Sequence, residues 1–285
     1  MRVSAAINFV STPAFIFGWL GLPKMGASAA AASAIVANAA SMAAFLVYLA
    51  RTNNPLKFDG EMARDLIFDL PTVLAIVRIG IPTGIALVMV SLSEIAVISF
   101  VNRFGYEATA AYGAVNQIVS YVQFPAISIG ITASIFGAQT IGAGRLDRLG
   151  RIARSAVGLN YAIGGVLIAI CYAFGWPLLG LFLTDAHTLG IAHELLMITL
   201  WSYLIFGNNA VLSGIMRSSG AVFWPTLLGI ASIWGVEVPV AYALMQRIGL
   251  DGIWIAYPVA FLANLGFQSA YYFGFWKRRR IKALV

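Results

Sequence analysis

Two carboxylates stand inside long apolar stretches that carry no other charge, Glu94 and Glu237. An acid at the centre of a membrane helix costs about 3 kcal/mol and normally survives only facing an interior cavity. There it can be neutralised by a proton or by a bound cation, so one group can couple ion uptake to release of a second solute. Glu237 sits in Val236-Glu237-Val238-Pro239, and Pro239 frees the carbonyl four residues earlier and bends the helix beside it. The plainer readings are a Glu94 carboxyl hydrogen-bonded for packing and a Glu237 placed toward the outer water. Asn116, Gln117, Tyr121 and Gln123 form a polar stripe at near-helical spacing, which lines a wet cavity or bonds helices together. Asn208 and Asn209 can bond a substrate, coordinate sodium or join helices, but amides do not titrate. Trp201 and Tyr203 can stack on aromatic or cationic compounds, or anchor at the membrane interface.

Other chemistry is poorly supported. Gly142-Ala143-Gly144 lacks the lysine and Ser/Thr of a phosphate loop. His187 and His193 have no carboxylate or cysteine at ligand spacing, so no metal and no cofactor are assigned. Cys171, the one cysteine, lies in an apolar run and reads as a packing residue. No nucleophile–base pair stands out, which argues against an enzyme.

The elements that must hold these residues are membrane helices. Of 285 residues, 60% are hydrophobic and 10% charged, against about 25% charged in soluble domains. The mean hydropathy is +0.87. A span needs about 20 mostly apolar residues. Eight windows qualify: 3–22, 27–50, 79–101, 108–131, 156–182, 195–216, 221–245 and 252–276. The linker 52–78 alternates charged and apolar residues, with Pro55 near its start and Pro71 interrupting it. It reads as an amphipathic cytoplasmic surface helix. The net charge of +7 lies in short clusters between apolar runs, which argues against a nucleic-acid partner. Lysine and arginine bias orients the spans. With both ends cytoplasmic, fifteen basic residues fall inside and three (Lys24, Arg103 and Arg247) outside. The clusters at Arg145–Arg154 and Lys277–Arg280 are topology signals and contacts for anionic membrane lipids.

The first two spans resemble the last two at an offset of 226 positions. Pro13 pairs with Pro239, Gly26 with Gly252, Ala37-Asn38 with Ala263-Asn264, and Arg51 with Lys277. Transporters are commonly built from repeated halves. The offset makes 79–285 a six-helix lobe with a basic tail and 1–51 the last two helices of a preceding lobe. About four spans are then expected before Met1.

Several motifs carry a family likeness. They are Ile7-Asn8 with Pro13-Ala14-Phe15-Ile16-Phe17-Gly18, Pro23-Lys24-Met25-Gly26-Ala27, Arg78-Ile79-Gly80-Ile81-Pro82, Gly137-Ala138-Gln139-Thr140-Ile141-Gly142-Ala143-Gly144-Arg145, Leu212-Ser213-Gly214-Ile215-Met216-Arg217-Ser218-Ser219-Gly220 and Gly252-Ile253-Trp254-Ile255-Ala256-Tyr257-Pro258. Their order and spacing over the whole chain resemble spans five to twelve of a MATE (multidrug and toxic compound extrusion) transporter. The resemblance implies an all-α integral membrane fold of about eight spans, comprising a complete C-terminal lobe and the last two helices of the N-terminal lobe. It also implies export of cationic or amphipathic organic compounds in exchange for H+ or Na+ across a bacterial inner membrane. Some members carry a functional glutamate in the seventh span. Glu94 lies about one turn farther from Pro82, on the same helix face. Asn208 and Asn209 occupy the region where some relatives place a functional aspartate. The alternatives are a lipid-linked oligosaccharide flippase of the same superfamily, which needs cationic residues in its cleft, and a non-transporting remnant.

Overall fold

A computed structural model of the chain describes residues 2–18, 26–52 and 69–278. The described residues are helical, with turns and no strand. In chain order the α-helices are α1 (Arg2–Phe17), α2 (Ala29–Arg51), α3 (Leu70–Val101), α4 (Tyr106–Gly142), α5 (Leu149–Ala173), the short α6 (Gly175–Gly180), α7 (Ala186–Thr199), α8 (Tyr203–Arg217), α9 (Phe223–Ser232), α10 (Val238–Ile248) and α11 (Leu250–Gly274).

Seven helical stretches among the described residues are long and apolar enough to cross a membrane. Two are composite. A 3₁₀ turn at Leu200–Ser202 joins α7 to α8, and a π-helical turn at Ile233–Glu237 joins α9 to α10. The expected first span, 3–22, is represented by the 16 residues of α1, and its remainder from 19 lies outside the described residues. Most of the expected surface linker, 53–68, lies outside them too. Where description resumes, α3 already begins at Leu70, nine residues before the apolar window. Pro71 sits in its first turn, where a missing N–H costs nothing. The fourth expected span is also longer than its window. α4 runs 37 residues, about 55 Å at 1.5 Å per residue. Its hydroxyls do not break it, because Ser128, Thr132 and Thr140 donate to carbonyls four residues back.

The chain divides into two compact units, residues 1–73 and 74–285. In the first, α1 packs on α2 and the Thr12 hydroxyl bridges Asn8 Oδ1 (2.7 Å) and Ser33 Oγ (2.8 Å). In the second, α4 and α8 form the central pair, flanked by α5, α7 and α11. Small residues let their backbones close up. A methyl on Gly130 would stand 2.8 Å from the Ala210 carbonyl oxygen, and one on Gly214 would overlap the Gly130 carbonyl.

The second unit holds two buried apolar clusters. One gathers Val115, Ile118, Leu196, Leu200 and Trp254, the other Ala133, Val211, Ile215, Met216 and Trp276. Buried amides occupy the intervening positions of α5 and α8. Asn160 Nδ2 donates to the Leu204 carbonyl (3.0 Å) and to Asn208 Oδ1 (3.3 Å), and Asn208 Nδ2 donates to the Tyr161 hydroxyl (2.7 Å). Gly207 is small because the Asn160 amide fills the space beside it.

The two hairpins related by the 226-residue offset, α1–α2 and α10–α11, are alike in helix pairing. Their glycines differ. Gly26 has φ +54° and opens a 3₁₀ turn, whereas Gly252 is helical and presses on the backbone of Leu244. The left-handed turn in the later hairpin falls on Gly249, at φ +71°.

Candidate functional site

A cavity of about 640 Å³ lies inside the second unit, walled by α3, α4, α8, the α9–α10 junction and α11. Each wall contributes one helical face. α3 supplies Val90, Glu94 and Ile98 at four-residue steps; α4 supplies Tyr112, Asn116, Val119 and Gln123 at steps of four, three and four. α11 supplies Tyr257, Phe261 and Asn264, and α8 supplies Tyr203 and Phe206.

The α9–α10 junction explains how Glu237 reaches the cavity. Pro239 has no N–H to close an ordinary turn onto Gly235. The chain instead widens by one residue, and the Val238 N–H bonds the Ile233 carbonyl five residues back. Ile233 and Glu237, the two ends of this turn, both line the cavity. Such single wide turns in helices are frequent at functional sites. Ser232, one residue earlier, donates to the Ala260 carbonyl at 2.6 Å and fixes the junction to α11. Trp234 Nε1 fixes it to α3 through the Met89 carbonyl at 3.2 Å.

Glu94 and Glu237 therefore share one cavity from separate walls. Glu237 is only 7% exposed, whereas Glu94 stands on an open face of this unit. Hydroxyls lie nearby. Tyr112 and Tyr257 meet oxygen to oxygen at 2.8 Å, and Tyr112 stacks against the buried Trp254 with ring centroids 5.9 Å apart. Tyr203, Phe206 and Phe261 form an aromatic corner with centroid separations of 5.4–5.9 Å. No lysine or arginine is among the described residues that line the cavity.

Of the ten residues singled out in the sequence, Glu94, Glu237, Asn116, Gln123 and Tyr203 come together here. Gln117 and Tyr121 do not, since they fall on another face of α4, with Tyr121 62% exposed. Trp201 is 43% exposed in the turn before α8, away from the lining. Asn208 and Asn209 are buried among helices rather than in the cavity wall. Asn209 Nδ2 donates to the Phe261 carbonyl at 3.0 Å, and its Oδ1 finds no hydrogen-bond partner among the described residues. The bonding role considered for these amides is the one the geometry supports. The sequence reading missed Tyr112, Tyr257, Ser93, Ser232, Phe206, Phe261 and Asn264. Continuing the α4 stripe at strict helical spacing reaches Tyr112, and Tyr257 and Asn264 stand in segments already singled out for other reasons.

The sequence also left His187 without carboxylate partners, and folding supplies them. Its Nδ1 lies 2.7 Å from Glu107 Oε2, eighty residues away in the chain, with Asp185 beside them. Asp185 caps α7, accepting from both the backbone N–H and the hydroxyl of Thr188 at 2.8 Å. Those two bonds hold its carboxyl below the usual carboxylate range. His193 is elsewhere, stacked on Trp176 at 4.6 Å between ring centroids.

Comparison with known proteins places this architecture. The MatE family profile matches residues 82–243. The chain is 49% identical over 285 residues to a probable multidrug resistance protein, YoeA, of Bacillus subtilis, covering 99% of this chain and 62% of that protein. It is 28% identical over 261 residues to the multidrug export protein MepA of Staphylococcus haemolyticus, covering 89% and 54%. The fold is similar to a crystal structure of the Vibrio cholerae MATE transporter VcmN, with TM-score 0.83, 17% identity, and coverage of 97% of this chain and 61% of that one. An outward-facing MATE-family multidrug resistance transporter of the MOP superfamily matches equally well, with TM-score 0.83 at 18% identity over 99% and 61%. The chain thus spans between 54% and 62% of the length of these relatives. With a family match over more than half its residues and a fold to agree, this multi-pass membrane protein belongs to the MatE family of transporters.

Proposed function

We propose that the chain works in a multidrug-type efflux antiporter, exporting cationic or amphipathic organic compounds in exchange for H+ or Na+. The observation that carries this reading is the pair Glu94 and Glu237 on separate walls of one cavity, with no basic side chain among the described residues that line it. Two acids on the walls of one cavity, Glu237 among them with little exposure, are balanced by a proton, a metal cation or an organic cation. Cargo and coupling ion then compete for the same negative charge, and entry of one favours departure of the other. The aromatic corner of Tyr203, Phe206 and Phe261 suits flat or cationic organic molecules. The relatives, a probable multidrug resistance protein and a multidrug export protein, support the same cargo class. A lipid-linked oligosaccharide flippase would need cations to meet phosphates, and this lining has none.

The proposed setting is the bacterial inner membrane with both termini cytoplasmic, which puts the Arg145–Arg154 cluster on the anionic inner leaflet. The test is uptake of a fluorescent organic cation into proteoliposomes under an imposed proton or sodium gradient. It is run with the chain alone and with the YoeA protein of Bacillus subtilis carrying the aligned glutamates. Gradient-driven transport lost on Glu94→Gln or Glu237→Gln, with the protein still in the membrane, supports the reading. Undiminished transport by both variants overturns it. Transport by the full-length relative alone would assign the chain the role of an incomplete remnant.

A further inference from the structure

The end of the second unit opposite the Arg145–Arg154 cluster brings together Glu107, Asp185 and His187. Glu107 lies in the first turn of α4, while Asp185 and His187 open α7. One ligand atom from each of the three lies within 4.8 Å of the other two. We propose that these three side chains form a binding site for a divalent transition cation of the zinc type, bridging the start of α4 to the start of α7.

The donor set decides the class of ion. Two carboxylates and one imidazole offer two negative charges and a nitrogen, the mixture that zinc and its neighbours accept. Calcium and magnesium prefer oxygen donors alone and gain little from an imidazole. The geometry is close to what such an ion needs. Tetrahedral zinc with bonds of about 2.0–2.2 Å holds its donors roughly 3.3 Å apart. His187 Nδ1 and Glu107 Oε2 are already at 2.7 Å and need only part slightly to admit an ion between them. Asp185 is held in place through Oδ2 by the two Thr188 bonds, so a ligand rotamer is set in advance. No lysine or arginine forms a salt bridge with these carboxylates among the described residues; the pair between His187 and Glu107 is the one present. The His187 side chain is 73% exposed, which gives an ion an entry path and leaves a fourth position for water. This site is independent of the cavity and of the antiport reading, since none of its residues lines that cavity.

The test uses the full chain in detergent, with zinc alone as the probe and cobalt as its coloured substitute. Zinc should raise the melting temperature saturably, because an ion that binds only the folded state stabilises it by mass action. Cobalt should give a visible absorption band that zinc displaces. His187→Gln, Glu107→Gln and Asp185→Asn should each weaken zinc binding by tenfold or more. The last two keep the hydrogen bond and the helix cap, so a folding failure in one variant leaves the others to decide. His193→Gln should bind as the parent does, and calcium and magnesium should produce no shift at matched concentration. An absence of saturable zinc binding below millimolar concentration would overturn the proposal. So would zinc binding that survives both His187→Gln and Glu107→Gln, which would leave the cluster a simple ion pair.

Discussion

At the scale of the residue, burial and partner decide what each polar side chain can do. Glu237 has little exposure and lines the cavity; exchanging it for glutamine keeps the shape and removes the charge. Under the proposed antiport, the expected outcome in proteoliposomes is loss of gradient-driven export with normal membrane yield. Asn160 makes a different case. Its amide is tied to Leu204 and Asn208, so Asn160→Ala leaves the Asn208 oxygen without that donor and should cost about 1–2 kcal/mol. A lowered melting temperature in detergent checks this. For Asp185 the prediction is one of pH. Its native pKa is depressed by the Thr188 bonds, so its stabilising contribution is fully present above the ordinary carboxylate pKa of about 4. That contribution is lost as pH falls through the native value. The gap in melting temperature between the parent and Asp185→Asn should therefore be widest near neutrality and narrow in acid.

At the scale of the element, apolar runs were legible, and helix ends and polar faces less so. The apolar windows located every long span among the described residues, because backbone groups in lipid must be satisfied within the segment and apolar runs have few other uses. They underestimated α3 and α4, since Arg78 near the start of one and the polar run Gln139–Gly142 at the end of the other still fit a helix that leaves the bilayer. The polar stripe on α4 mixes two helix faces. Asn116 and Gln123 are seven apart and share a face, whereas Gln117 and Tyr121 belong to another. Composition marks a residue as polar, and only strict helical spacing says which way it points. Glu237 was legible for a local reason, the proline two residues on, although the wide turn that places it was not. Pro239→Ala should let an ordinary turn form and rotate Glu237 away from the cavity. Its expected signature is a fall in transport larger than any fall in melting temperature. Gly214→Ala should show the reverse order, because a methyl there collides with the α4 backbone and loosens the central pair before it touches the site.

At the scale of the whole molecule, the charge pattern and the repeat could be read without a structure because both are long-range regularities of the chain. The cavity could not. Its walls come from residues as far apart as Val90 and Asn264, and nothing local in α3 announces that it will face α11. The same holds for His187, whose carboxylate neighbour is eighty positions away. The orientation has a direct check, helped by the presence of a single cysteine. In a Cys171→Ala background, a cysteine placed at Thr184 should react with an impermeant maleimide from outside intact cells. One placed at Arg151 should react only after permeabilisation, and the opposite pattern would invert the proposed topology.

The amide layer between the two apolar clusters has a mechanical consequence. Greasy helices alone can slip past one another by a turn with little change in their contacts. Asn160, Asn208 and Tyr161 work as a key in a keyway: their hydrogen bonds match at one height and fail at every other. α5 and α8 are thereby locked against sliding, and any movement of this unit must carry both helices together as a single lever.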